Sequence, residues 1–164
     1  MQTLDQQLER LIQDAPNDDV TATLLRAIAP LLLQMARQLK HAEYHVLQGR
    51  DAGWLVTTLS NRTQPELEKS VIYAFSTHED AQNRVVRNRE AQIAVSPVPV
   101  IHLLFQLIAL RAVESAIFFE VPGDSHSGIE VSCRDLRQRV QALLAAHHAQ
   151  SRSIRSRSAP PDIA

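Results

Sequence analysis

The spacing of apolar residues sets the first elements. Leu4, Leu8, Leu11 and Ile12 recur at helical intervals and predict a short amphipathic helix over residues 3–14, which APNDD ends. A second helix is predicted from Asp19 to Lys40, with Val20, Leu24, Leu25, Ile28, Leu31, Leu32, Met35 and Leu39 on a wide apolar face. Pro30 lies inside it and is expected to kink it or restart it, because proline lacks a backbone donor and clashes one turn back. At Glu43 the helical period gives way to alternation. YHVLQ and GWLVTTLS, separated by GRDAG, read as a β-hairpin. ELEKSVIYAFS is a third strand, with Val71, Tyr73 and Phe75 on one face and Ile72 and Ala74 on the other. A helix carrying EDAQNRVVRNR follows, and Ser76 and Glu79 have the spacing of a capping box at its start.

AQIAVS reads as a fourth strand, after which Pro97 and Pro99 open a helix over residues 99–112. SAIFFEV is a fifth strand, PGDSHSG a turn and IEVS a short sixth strand. Ser132 and Asp135 have capping spacing at the head of a last helix, CRDLRQRVQALLAAHHAQ. The remainder, SRSIRSRSAPPDIA, reads as a disordered polar tail. Two helices followed by β-β-β-α-β-α-β-β-α predict an α+β fold. Its mixed sheet has five to six strands with helices packed on it. The expected division is a helical extension over 1–40 that packs on the main domain, an α+β domain over 41–149, and a tail over 150–164.

The stretch SPVPVIHLLFQLIALRAVESAIFFEVPG raises the question of a membrane span. Val98 to Leu110 already holds His102 and Gln106, Arg111 and Glu114 follow at once, and the run is shorter than the about 20 residues a hydrocarbon core requires. It therefore reads as a buried helix and a central strand. On the helix, Ile101, Leu104, Phe105, Ile108 and Ala112 form one face, and Leu103, Leu107 and Leu110 another. Burial on nearly all sides follows. The second face is expected to be covered by the N-terminal helices, the other candidates being a partner or a second copy of the chain.

Composition narrows the function classes. A chain of 164 residues with 45% apolar content can bury a core as one domain, and 4% aromatic content makes that core aliphatic. With 17 basic against 18 acidic residues there is no electrostatic excess of the kind that holds nucleic acid. Cys133 is the only cysteine, which excludes an internal disulfide and a multi-cysteine metal site and suggests a cytoplasmic compartment. The N-terminus has early acids and no apolar segment of the secretory kind.

Candidate chemistry is thin. His41 and His45 stand at i and i+4, the spacing of a helical zinc pair, but at a helix-to-strand change and without the following glutamate of the protease motif. They read as solvated side chains. His147 and His148 suit a helix C-terminus, and His102 suits a buried helix position. Cys133 sits at a helix start, where a thiol can be acidified. DSHSG holds Ser, His and Asp side by side, which is turn chemistry, because a triad is assembled from separate segments. No catalytic residue, metal site or cofactor is expected. Arg84 and Arg87 share a helix face that can grip a carboxylate or phosphate, and Arg89 follows them.

From Tyr44 to Leu136 the chain resembles the SseB-like family, small bacterial proteins named for enhanced serine sensitivity. GWLVTTL is similar to that family's early strand, VIYAFSTHEDA to its signature strand and helix entry, and PVPVIHLLFQLIAL to the following helix. VESAIFFEVPGDSHSGIEVSCRDL is similar to its strand, Pro-Gly turn, short strand and final helix. Val121 stands where the family commonly has Asn, and SNRTQPELEKS is unusually polar. The N-terminal helices lie outside the resemblance. It implies an α+β fold and a non-enzymatic role, with no catalytic residues to transfer.

The expected function is that of a protein-binding adaptor or assembly factor. A peptide of the partner would lie in an apolar groove, beside a sheet edge or between the sheet and the N-terminal helices. Trp54, Tyr73, Phe75 and Phe105 are the expected apolar contacts, with Arg84 and Arg87 for a carboxylate or phosphate. The chain itself is expected to be a monomer or homodimer. The setting named for it is assembly of a bacterial or cyanobacterial complex such as a microcompartment shell, a setting that no motif specifies. The alternative is a small-molecule sensor or enzyme with a pocket using His102 or Cys133.

Overall fold

The N-terminal amphipathic stretches form α1 (Leu4–Asp14) and α2 (Asp19–Gln38). Their coordinates, like those of the rest of the chain, come from a computed structural model that describes residues 2–15, 19–51, 53–60, 63–64, 66–88, 92–124 and 126–158. Thr3 caps α1 with a reciprocal box. Its hydroxyl accepts from the Gln6 amide at 3.2 Å, and the Gln6 side chain accepts from the Thr3 amide at 3.0 Å. Pro30 does not divide α2, which continues through it as one helix with the ring exposed.

Then come β1 (Glu43–Gln48), β2 (Thr57–Ser60), β3 (Glu68–Phe75), α3 (His78–Asn88) and β4 (Ala94–Pro99), followed by α4 (Val100–Ala109), β5 (Ser115–Phe119), β6 (Gly128–Ser132) and α5 (Cys133–Ser158). The strands form one mixed sheet in the order β4-β1-β3-β5-β6, with β2 also beside β3. Among the described strands, only β3 and β5 run parallel. The α+β class, the two N-terminal helices and the mixed sheet all stand as the sequence predicts.

The register corrects the expected hairpin. β1 and β2 do not pair with each other. Val46 lies opposite Ala74 and Thr57 opposite Val71, so the two strands lie end to end along the same side of β3. The turn residues do close a tight loop. Gly49 donates to Gly53 at 2.9 Å, Leu55 donates to Leu47 at 2.8 Å, and Gln48 bridges Trp54. The loop is an excursion from one long edge, after which β3 offers the chain more ladder partners than β1 does.

Helix ends differ from expectation at several places. The cap of α3 is Thr77, whose hydroxyl accepts from the Asp80 amide at 3.1 Å, whereas the Ser76 hydroxyl is buried without a partner. Pro99 ends β4 and opens the helix as the N-cap of α4, whereas Pro97 lies within β4, which an edge strand tolerates because a proline there costs no ladder bond. α4 stops at Ala109, short of 112, and Arg111 and Ala112 are exposed. At the other end of the chain α5 continues past residue 149 to Ser158, into the stretch read as tail. Arg and Gln favour a helix and Ser and Ile weaken it only slightly, so no residue through Ser158 breaks it. Residues 159–164 lie outside the described residues.

One face of the sheet carries the main core. Tyr44, Val46, Ile72, Ala74, Ala116 and Phe118 point into it and meet α2, α4 and α5. Ile101, Leu103, Leu104 and Leu107 of α4 have no exposed surface. α1 and α2 both pack against α4, so the chain's own N-terminus covers its second face. No helix among the described residues is long and apolar enough to cross a membrane.

α4 brings no cap and no charge of its own, and other elements close its ends. The Val100 amide donates to the Ala42 carbonyl at 2.9 Å. Gln7, only 2% exposed, accepts from the Ile101 amide at 3.1 Å and donates to Ala42 at 2.9 Å. At the far end Arg137 of α5 donates to the Leu110 carbonyl at 3.1 Å, a cation at the negative end of the helix. Gln7→Ala strands the Ile101 donor in the interior and should lower unfolding free energy by about 1–3 kcal/mol in urea titration. A loss under about 0.5 kcal/mol would mean that this cap is dispensable.

Candidate functional site

The second face of the sheet is where the candidate residues collect. Alternation puts Val71, Tyr73 and Phe75 of β3 and Ile117 and Phe119 of β5 on this side. Phe119 stacks on Tyr73 at 5.5 Å and on Phe75 at 5.2 Å between ring centroids. Gly128 permits this arrangement, because a Cβ there would stand 2.6 Å from Ile117 Cγ2. α3 packs over β1, β3 and β4. Ala81 is its buried anchor, and Val85 lies against the same cluster.

A cleft of about 250 Å³ opens where β3 and β5 end, between α3 and the turn at Pro122 and Gly123. The carboxyl ends of parallel strands are where open α/β sheets commonly hold ligands. Phe75 lines the cleft along with Asn83, Arg84 and Arg87. Arg84 Cζ lies 4.6 Å from the centre of the Tyr73 ring, a cation–π contact. Asp80 Oδ2 accepts from the Gly123 amide at 3.0 Å, and Gly123 has φ +83°, which favours glycine.

The structure therefore brings Tyr73, Phe75, Arg84 and Arg87 together. It does not bring Trp54 or Phe105 to them, since both are partly buried against the main core on the opposite side of the sheet. The space between the sheet and the N-terminal helices is filled by that core. An apolar groove does exist between α2 and α5, lined by Val20, Leu24, Ala27 and Leu144 and holding none of the six candidates. Arg89 lies outside the described residues.

A larger trough, about 950 Å³, lies at the other ends of β3 and β5. Leu59 and Leu67 are exposed on its rim. Within it Lys69 pairs with Glu130, Glu114 accepts from the Ser70 amide at 3.1 Å, and Arg111 and Arg134 stand exposed. Beside it β6 ends the sheet with no further strand among the described residues. Sequence reasoning missed this trough, since its walls come from four separate segments.

The isolated candidates fall into structural roles. His41 and His45 diverge: the His41 ring donates to the Glu120 carbonyl at 2.8 Å, while His45 faces His78 at 5.9 Å. No group of three metal-ligating side chains occurs among the described residues. Asp124 accepts from the His126 and Ser127 amides at 2.8 and 3.2 Å, side-chain bonding of the kind that forms turns. Those bonds hold the Asp124 carboxyl below the usual range. Cys133 is fully buried, and burial pushes its thiol up, against the acidification its helix start suggested. His102 has a buried Nε2 without a partner.

One node had no signal in the sequence beyond an acid closing an apolar strand. Glu120, 6% exposed, accepts from the Tyr44 hydroxyl and, at 2.6 Å, from the Lys40 amide. Burial first, and then the bond to Glu120, push the Tyr44 hydroxyl well above the usual phenol range. The node ties the end of β5 to the α2–β1 junction on the side away from the cleft. No family model matches the chain, and no curated protein matches it.

Burial holds the His45 imidazole below its ordinary 6.5; His78 adds to that and Glu43 opposes it. The folded state thus takes up its proton less readily than the unfolded state. The His45 contribution to stability is complete above that ordinary value and is lost as pH falls below it. Urea unfolding between about pH 7.5 and about pH 5 should show a steeper loss for the native chain than for His45→Gln. Parallel losses would mean that His45 titrates alike in both states.

Proposed function

We propose that the chain is a non-enzymatic adaptor that takes an extended segment of a partner protein along the free edge of β6, beside the trough. The observation that carries this reading is the contrast between the two sheet edges. β4 has Pro97 and Pro99, which lack donors and so block strand addition. β6 has no proline, is largely exposed along Gly128–Ser132, and leaves Ile129 43% exposed. An added strand would complete the ladder and set alternate side chains against Ile129 on one side and the trough on the other. Arg111 and Arg134 there meet no ion-pair partner among the described residues.

The sequence resemblance to SseB-like proteins belongs to this proposal. Its support is that the quoted segments fall on β2, on β3 with α3, on α4, and on β5 through the start of α5, in the expected order. The proposed setting, assembly of a bacterial complex such as a microcompartment shell, rests on the adaptor reading.

A charge on a strand edge discourages pairing. Immobilised native chain should retain a partner from the host lysate that Ile129→Lys loses, and Trp54→Ala, beside β1 and away from β6, should retain it. The partner bound to native chain should slow hydrogen exchange at the β6 amides. Equal retention by native chain and Ile129→Lys, or no specific retention at all, contradicts the reading.

A further inference from the structure

We infer that the cleft beside α3 binds a small organic acid, one carboxylate on a flat apolar body, gripped by Arg84 and Arg87. Asp80 and Arg84 stand at i and i+4, the spacing at which opposite charges on a helix pair. They do not pair. Asp80 is turned to the Gly123 amide at 3.0 Å, and Arg84 is held 4.6 Å over the Tyr73 ring. Among the described residues neither Arg84 nor Arg87 makes an ion pair or a side-chain hydrogen bond.

Arg84 is partly buried, and a guanidinium carries five donors in a fixed fork. Held over the Tyr73 ring with no protein acceptor, that fork is available to an acceptor that enters the cleft, and a carboxylate matches its geometry. Arg87 lies three residues on and lines the same cleft, so both cations can reach one anion. Pro122, exposed at the cleft, supplies apolar surface for the body of the ligand, with the buried Phe75 beneath the cleft floor.

Size and charge select the class. The cleft volume of about 250 Å³ is below the roughly 300–1,000 Å³ of pockets for drug-sized ligands. A single ring fits it, and a folded partner does not. Glu79 and Asp80 also line the cleft, so a dianionic phosphate would meet two carboxylates where a single carboxylate meets less repulsion. The cleft shares no lining residue with the trough, and the inference stands or falls apart from the β6 edge.

The test is an NMR titration of the full chain that follows the Arg84 and Arg87 Nε–H signals and the Gly123 amide. Benzoate should shift them saturably with a dissociation constant on the order of 1 mM. Benzamide, which has the same body without the charge, should bind at least about tenfold more weakly. Arg84→Gln should lose benzoate by at least about tenfold with its spectrum unchanged outside the cleft, and Arg84→Lys, which keeps charge without the fork, should fall between. Equal binding of benzamide, equal binding by Arg84→Gln, or no saturation overturns the inference. Tighter binding of phenyl phosphate would make the cleft a phosphate site. Tighter binding of N-acetylglutamate N-methylamide would assign it to an acidic side chain of a polypeptide.

Discussion

α4 is a helix that cannot stand alone. It is apolar around nearly its whole circumference and supplies no cap at either end. Its amides and carbonyls must be satisfied and its two faces covered, because buried unpaired backbone groups are costly. The chain meets both demands from a distance. Gln7 and the Ala42 carbonyl take the first amides, Arg137 takes a last carbonyl, and α1, α2, α5 and the sheet enclose the rest. The N-terminal helices are therefore part of the core, and α4 offers no open apolar face for a dimer.

Among the described residues, concentrating four helices on one face of the sheet leaves a single helix, α3, for the other. That imbalance explains where the unpartnered chemistry lies. α3 packs mainly on β1, β3 and β4, so among the described residues the β5–β6 side keeps an uncovered trough and a free edge. The short loops at the strand ends leave the cleft by Phe75. The cleft sits beside the aromatic cluster of Tyr73, Phe75 and Phe119, whereas the trough lies at the other strand ends and takes part of its wall from α5.

The elements were legible because their signals are local. Alternation in VIYAF, the apolar run of α4 and the Ser132 cap each depend on neighbouring residues, and each stands in the structure. Strand pairing was not local. The GRDAG turn looks like a hairpin, yet β2 takes β3 as its partner because the longer strand offers the better ladder. The site was half legible. Arg84 and Arg87 share a face by helical arithmetic, and Tyr73 and Phe75 by strand alternation, but which face of the sheet Trp54 and Phe105 join depends on packing. Gln7 and Glu120 carry no signal in the sequence, since a polar residue is fixed in a core by partners 94 and 80 positions away.

Site-resolved amide hydrogen exchange on the free chain is the most direct measure of this asymmetry. The account predicts that α4 exchanges as slowly as β3 and β5, through global unfolding, while the outward amides of β6 exchange much faster. An α4 that exchanges like a surface helix, or a β6 as protected as β3, would contradict it.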